Sequence, residues 1–151
     1  MVDREARRLA AILVRQLGAG TISNDQFEAE WPRSPGDRAL AAIAALLRHG
    51  SSSHRTHRLV GPRALGDAGE RIVERCARFL ESDLEYEWPR ARIHGNGIRG
   101  STLLLSLGLL LPIHLLLKRR YAEQLAAGDL EVWPFIRRAD AERTVAATAR
   151  S

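Results

Sequence analysis

The sequence predicts an all-α fold, an irregular or orthogonal bundle of about five to six helices with a central leucine-rich helix. Apolar residues recur at helical spacing in several segments. Leucine and alanine dominate the apolar residues, and the alternating, β-branched windows typical of strands are absent. A chain of 151 residues is long enough to bury its own core, so we expect a single helical domain over residues 1–151.

Three amphipathic helices are predicted in the first third of the chain. The second begins at a capping box of Ser23 and Gln26, and the third has Ser34 as its N-cap with Pro35 at the first helical position. The first helix covers residues 4–17, and its arginines lie outside its predicted buried face. That buried face consists of Leu9, Ile12, Leu13 and Leu17.

Asp67 and Glu70 are predicted to cap the N-terminus of a fourth helix. Three other segments lack a clear helical period. Residues 50–61 contain three consecutive serines and are predicted to be a flexible loop, and residues 95–101 to be a glycine-rich joint. Residues 140–151 are predicted to be a frayed C-terminal tail. The predicted buried stripe of the fourth helix is Ile72, Val73, Cys76, Phe79 and Leu80.

The leucine-rich segment, residues 102–117, has ten leucines, one isoleucine and no charge. As a helix it would reach roughly 24 Å, short of the ~30 Å hydrocarbon core of a bilayer. Such a segment fits the core of the bundle, a dimer interface or a membrane. The residues that we expect at a membrane or dimer contact are Leu103, Leu107, Leu110, Leu111, Leu115, Lys118, Arg119 and Arg120.

The charges beside the leucine-rich segment do not orient it in a membrane. Arg90, Arg92 and Arg99 precede it, and Lys118, Arg119 and Arg120 follow it. The positive-inside rule needs an asymmetry that these flanks lack. In the membrane hypothesis, residues 101–117 enter the lipid and the three basic residues after them lie among anionic headgroups, each contributing about 1 kcal/mol.

The basic composition by itself does not indicate a nucleic-acid partner. The net charge is +5, but 22 of the 23 basic residues are arginine, as a GC-rich coding bias would produce. Arginines alternate with glutamates along the fourth predicted helix, which is typical of a solvated, ion-paired face. One cysteine excludes an internal disulfide, and the charged first residues do not resemble a secretory signal. We therefore expect a cytoplasmic protein or, alternatively, one at the cytoplasmic membrane.

All three tryptophans directly precede a proline. Proline disfavours the helical conformation at the residue before it, so Trp31, Trp88 and Trp133 are expected at helix ends or turns, with their rings covering the core. In an alternative interpretation the three Trp-Pro corners converge on one surface and form an aromatic docking site for a protein partner.

A short segment resembles a known family. Leu17 is followed by Gly20, Ile22, Ser23 and, further on, by Phe27 and Glu28. This order is similar to the pattern L-x-x-G-x-I-[ST]-x-x-E-F-E of SHOCT domains, which are short bacterial helical hairpins regarded as interaction modules. The resemblance covers about twelve residues, and Gln26 stands where the pattern has glutamate. We attribute the likeness to shared helix-capping chemistry and transfer no function.

Few residues are candidates for chemistry. His54 and His57 have a spacing that two metal ligands can have, but no third ligand follows them. Asp83 and Glu87 would share a helix face at i, i+4 and could ligate a cation. Cys76 lies on an apolar stripe and is interpreted as a core residue. No cofactor motif is present in its required context.

These observations predict a protein without catalytic activity that acts through protein–protein contacts, most simply by forming homo-oligomers. The alternative is a membrane-associated or single-span protein that inserts residues 101–117. An enzyme is the third hypothesis. A shifted pKa of a carboxylate or histidine in a cleft would favour it.

Overall fold

A computed structural model describes residues 1–50, 56–89, 119, 122 and 126–148 of the chain. Among these residues, five α-helices have defined bounds, residues 119, 122, 126 and 127 are also helical, and no strand occurs, which confirms the predicted all-α fold. Two short 3-10 helices, Gly61–Arg63 and Leu130–Val132, lie between them. The α-helices are α1 (Arg4–Gly18), α2 (Asn24–Glu30), α3 (Arg38–Gly50), α4 (Asp67–Glu81) and α5 (Arg138–Thr148).

Helix α1 begins and ends as the sequence predicts, within one residue. The side chain of Asp3 accepts a hydrogen bond from the backbone N–H of Ala6 at 3.0 Å and so caps the N-terminus. The chain reverses at Gly20, whose φ is +68°. A Cβ at this position would lie 2.8 Å from the carbonyl oxygen of Leu59, so both the backbone conformation and the space require glycine.

The burial of α1 differs from the prediction. Leu13 and Leu17 are buried, but Leu9 and Ile12 are 49% and 48% exposed. The prediction placed Arg7 outside the buried face, yet it is only 1% exposed. The polar partners of Arg7 lie inside the molecule, and a rotation of α1 that buried Leu9 and Ile12 would remove Arg7 from them.

Helix α2 has the predicted capping box. Ser23 accepts a hydrogen bond from the backbone N–H of Gln26, and the Gln26 side chain accepts one from the backbone N–H of Ser23. The start of α2 also holds the chain at His57. The backbone N–H of Asn24 donates to the carbonyl of His57 at 3.1 Å, and the N–H of His57 donates to Oδ1 of Asn24 at 2.8 Å. The predicted 50–61 loop is therefore hydrogen-bonded to the start of α2 at His57, which lies in its described part.

Helix α3 begins at Arg38, three residues later than predicted. The side chain of Asp37 accepts a hydrogen bond from the backbone N–H of Ala39 at 3.0 Å and acts as the cap. Ser34, the predicted cap, instead accepts the backbone N–H of Asp37 at 3.1 Å through its carbonyl and closes a turn. Asp37 rather than Ser34 caps α3 because the Asp37 carboxylate also has a buried partner, described below.

Helix α4 carries the predicted buried stripe, with Ile72 only partly buried. Its N-cap is Gly66, without a side-chain hydrogen bond, rather than the predicted acidic residues. The helix ends at Glu81 because Ser82 is extended, with φ −86° and ψ 159°. The predicted helical i, i+4 spacing of Asp83 and Glu87 is therefore wrong.

The core lies chiefly between α1 and α4. Small residues allow these helices to approach closely, since Ala10, Ala11 and Ala77 are all at most 1% exposed. Gly18 contributes to the same contact, because a Cβ there would lie 2.7 Å from Cγ1 of Val73. Helices α2, α3 and α5 pack around this pair.

The C-terminal part of the chain also joins this core. Phe135 is 2% exposed, and its ring packs edge-on against Phe79 with centroids 5.1 Å apart. Trp133-Pro134 is a cis peptide. Residues 140–148, predicted as part of a frayed tail, belong to α5. The predicted joint at 95–101, the leucine-rich segment and residues 149–151 lie outside the described residues.

Candidate interaction surface

A buried ion pair that the sequence reading missed anchors α1. The guanidinium of Arg7 donates to both carboxylate oxygens of Asp37, from Nε at 2.6 Å and from Nη2 at 3.0 Å. Its Nη1 donates to the carbonyls of Ser82 at 3.2 Å and Leu84 at 2.7 Å. Both side chains of the pair are 1% exposed. The pair therefore joins α1, the start of α3 and the segment after α4.

The environment of Asp37 keeps its carboxylate ionised. Burial by itself raises the pKa of this carboxyl, but the hydrogen bonds from Arg7 and from the backbone N–H groups of Asp3 and Ala39 outweigh it, so the pKa lies below its ordinary value. Asp3 donates at 3.1 Å. The guanidinium of Arg7 also lies 5.4 Å from the centre of the Phe79 ring. These features describe a structural connection rather than a reactive site.

The opposite side of α1 carries an exposed stripe, which we define as Glu5, Leu9, Ile12 and Gln16. All four side chains are exposed. Their spacing of four, three and four residues places them along one side of the helix. The two apolar residues are in the middle and the polar residues at the ends. The sequence signal for this surface was present, but it was read as a core stripe.

The order of the exposed stripe has a twofold symmetry. In an antiparallel pair of α1 helices whose twofold axis passes beside residues 10 and 11, position 9 of one copy faces position 12 of the other, and position 5 faces position 16. Two copies of α1 packed antiparallel would thus bring Leu9 of each copy against Ile12 of the other, and the Glu5 carboxylate near the Gln16 amide. Isologous dimer interfaces require such self-complementarity.

The three Trp-Pro corners lie in different environments. Trp31 is half-buried at the C-cap of α2, with its ring 4.8 Å from that of Phe27. Trp133 is half-buried after the second 3-10 helix. Trp88 is 1% exposed and lies at a bend in the irregular segment that follows α4. Trp31 and Trp133 therefore follow helix ends and Trp88 lies at a bend, in line with the predicted helix ends or turns.

Two of the corners, at Trp88 and Trp133, contact each other's segments. The indole Nε1 of Trp88 donates to the carbonyls of Pro134 at 3.0 Å and Phe135 at 3.2 Å. The Nε1 of Trp133 donates to the hydroxyl of Tyr86 at 3.2 Å. The buried ring of Trp88 presents no surface to a partner, so the described geometry favours packing over the docking interpretation for this residue.

Three of the four metal candidates lie among the described residues. His57 lies beside the start of α2, Asp83 forms an ion pair with Arg4 at 2.8 Å, and Glu87 is exposed. Within residues 1–50, 56–89 and 126–148, no group of three or more metal-ligating side chains is close enough to hold an ion. His54 lies outside the described residues.

Cys76 is a core residue, as interpreted from the sequence. It is fully buried on α4, and burial raises the pKa of its thiol to about 12. The reactive form of a cysteine is the thiolate, which is therefore scarce here at neutral pH.

Of the predicted membrane or dimer contacts, Arg119 belongs to the described residues. Arg119 is exposed at a helical position. In the part of the chain that is described, no helix combines the length and apolar character that a bilayer crossing needs. The remaining contact residues, Leu103, Leu107, Leu110, Leu111, Leu115, Lys118 and Arg120, lie outside the described residues.

Two open grooves flank α5. One is lined by Asp83, Asp140 and Arg143, and the other by Val132, Phe135 and Val145 together with charged residues of α4 and α5. Both carry charges of both signs, including the paired Asp140–Arg143 and Glu74–Arg78. Neither groove selects a class of ligand.

Comparisons with known proteins found no family model, no curated protein and no solved structure that matches the chain.

Proposed function

We propose that this protein has no catalytic activity and acts through contacts between copies of its own chain, with the exposed stripe of α1 as one contact surface. The observation that carries the proposal is the exposure of Leu9 and Ile12, about half of each side chain, on the helix that contributes most to the core. Isolated exposed apolar residues are common on protein surfaces. Two exposed apolar residues one turn apart, in a self-complementary order, indicate a contact surface more specifically than one isolated residue does.

A second copy fits this surface better than an unrelated partner does. In an antiparallel pair of α1 helices, Leu9 would pack on Ile12 of the partner subunit, and Glu5 would face Gln16 of the partner subunit. The interior side of α1 is occupied by the Arg7–Asp37 pair and α4, so the exposed stripe is the side available for a partner. The symmetry of the stripe then supplies the matching surface.

The proposed contact is small. One turn of apolar side chains from each copy buries less than the ~1,200 Å² of a standard stable interface. We therefore expect a dissociation constant weaker than about 1 µM from this contact alone. Association stronger than this would indicate that a further surface contributes, such as the predicted leucine-rich segment.

The test is sedimentation velocity of the full chain over a concentration series. The variant Leu9→Gln/Ile12→Gln should remain monomeric at concentrations where the wild type dimerises. A matched control, Leu130→Gln/Val145→Gln, removes two apolar side chains of similar exposure, 37% and 47%, from another surface. Its dimerisation should equal that of the wild type.

Two results would contradict the proposal. The first is a wild-type chain that stays monomeric throughout the series. The second is a stripe variant that dimerises as strongly as the control variant, because the association would then use another surface.

A second candidate function is membrane contact through residues 101–117. It is supported by the uncharged run of ten leucines with basic residues on both sides. Flotation of the full chain with vesicles that contain about a third anionic lipid tests it, with neutral vesicles as the control. Protein that stays at the bottom of both gradients would exclude this candidate.

A further inference from the structure

The parts of the chain on either side of residues 90–125 pack into one folded unit. Trp88, one residue before the last described position of the first part, is 1% exposed. Its indole N–H donates to the backbone carbonyls of Pro134 and Phe135, at 3.0 and 3.2 Å. Both acceptors belong to the second part, so the two parts are in direct contact.

Further contacts hold the two parts together. The ring of Phe135 packs edge-on against Phe79 of α4 in the core. The guanidinium of Arg75, also on α4, donates to the backbone carbonyl of Glu131. Ala141 of α5 packs against the same core. The contact between the parts thus includes buried apolar surface as well as hydrogen bonds.

This packing limits how residues 90–125 can be placed relative to a membrane. A single crossing would leave the first part on one side of a hydrocarbon core about 30 Å thick and the second part on the other. Trp88 and Pro134 could then not be in hydrogen-bonding contact. We infer that the chain does not cross a bilayer once between these two parts, and that both ends of residues 90–125 lie on the same side of any surface the protein binds.

The charges of the sequence agree with this topology. Basic residues occur both before and after the leucine-rich segment, at Arg90, Arg92 and Arg99 and again at residues 118–120. A single-span protein is expected to have an excess on one side. A segment whose two ends are on the same side needs no such asymmetry. The inference does not depend on self-association, because it uses only contacts within one chain.

Labelling of single cysteines in cells tests the inference. In a Cys76→Ala background, Glu28→Cys and Val145→Cys each place one thiol on an exposed position, the first before and the second after residues 90–125. The full chain is expressed in a bacterial host, and a membrane-impermeant maleimide is applied to intact spheroplasts and, separately, to lysed ones. Urea denaturation of both variants verifies that they fold.

We expect the two thiols to behave alike, protected in intact spheroplasts and labelled after lysis. This result is expected whether the protein binds the membrane or not. Labelling of only one of the two positions in intact spheroplasts would overturn the inference, because it would place the two parts on opposite sides. A monomer in the sedimentation experiment would contradict the self-association proposal but would leave the labelling result unchanged. Failure of that proposal can therefore be distinguished from failure of the topology inference.

Discussion

Each side of α1 carries an exception to the usual distribution of polar and apolar residues. The inner side buries a charged residue, Arg7, at 1% exposure, whereas the outer side exposes Leu9 and Ile12 at about half of their side-chain area. Leu13 and Val14, which are similar in character to the exposed pair, are buried. The difference lies in the partners available at each side, not in the hydrophobicity of the residues.

The inner side can accept a guanidinium because its hydrogen bonds are satisfied there. Asp37 supplies the opposite charge and accepts from Nε and Nη2, and the carbonyls of Ser82 and Leu84 accept from Nη1. A buried charge without such partners would be expelled or neutralised. These partners are 30 to 77 residues away in the sequence, so the pattern of α1 alone cannot reveal them.

Arg7→Ala should have the largest effect on stability. The substitution leaves the Asp37 carboxylate buried without its countercharge, which costs about 3–5 kcal/mol of the free energy of unfolding. Urea denaturation followed by far-UV circular dichroism measures this loss. Arg8→Ala, at the exposed neighbouring position, should change stability by less than about 0.5 kcal/mol. Similar losses for both variants would refute the special role of the inner side.

Replacing both partners should cost less than removing one. In the variant Arg7→Met/Asp37→Asn no uncompensated charge remains, and the asparagine oxygen can still accept the backbone N–H of Ala39. Exchange of a buried ion pair for apolar groups is often neutral or stabilising by about 1–4 kcal/mol relative to the pair. The carbonyls of Ser82 and Leu84 lose a donor, so we expect a stability between those of Arg7→Ala and the wild type. A double variant less stable than Arg7→Ala would contradict this account.

The buried Asp37 carboxylate on the inner side should make the free energy of unfolding depend on pH in the acidic range. The pKa of Asp37 is lower in the folded chain than the ~3.9 of an unfolded aspartate. The folded state therefore binds fewer protons, and this contribution is present above about pH 4 and is lost as the pH falls through the lower, folded pKa. Urea midpoints of the wild type should fall between pH 5 and pH 2. The fall should be smaller in Arg7→Met/Asp37→Asn, in which Glu74 still has a lowered pKa.

The outer side should contribute least to the stability of the monomer. Leu9→Gln/Ile12→Gln removes side chains that are already about half in water, so the free energy of unfolding at low protein concentration should change by less than about 1 kcal/mol. The urea midpoint at a concentration below dimerisation measures this. A loss as large as that of Arg7→Ala would mean that the outer side belongs to the core of the monomer.

Local patterns predicted the helices well because their determinants are local. The capping box at Ser23 and the apolar stripe of α4 each lie within one helix and were identified correctly. The start of α3 was placed too early because Asp37 owes its position to Arg7, which lies 30 residues away. The predicted burial of Leu9 and Ile12 is wrong for the same reason, since the orientation of α1 depends on contacts with distant carbonyls. The i, i+4 pairing of Asp83 and Glu87 failed because α4 ends before them.

The burial of Trp88 gives the protein an optical signal of its own. Its indole is enclosed by the core and bound to the carbonyls of Pro134 and Phe135, whereas Trp31 and Trp133 are partly in contact with water. Emission from an enclosed indole shifts to longer wavelength when water reaches the ring. In a variant that keeps Trp88 as its only tryptophan, the fluorescence therefore reports, without any added probe, whether the C-terminal part of the chain packs on α4.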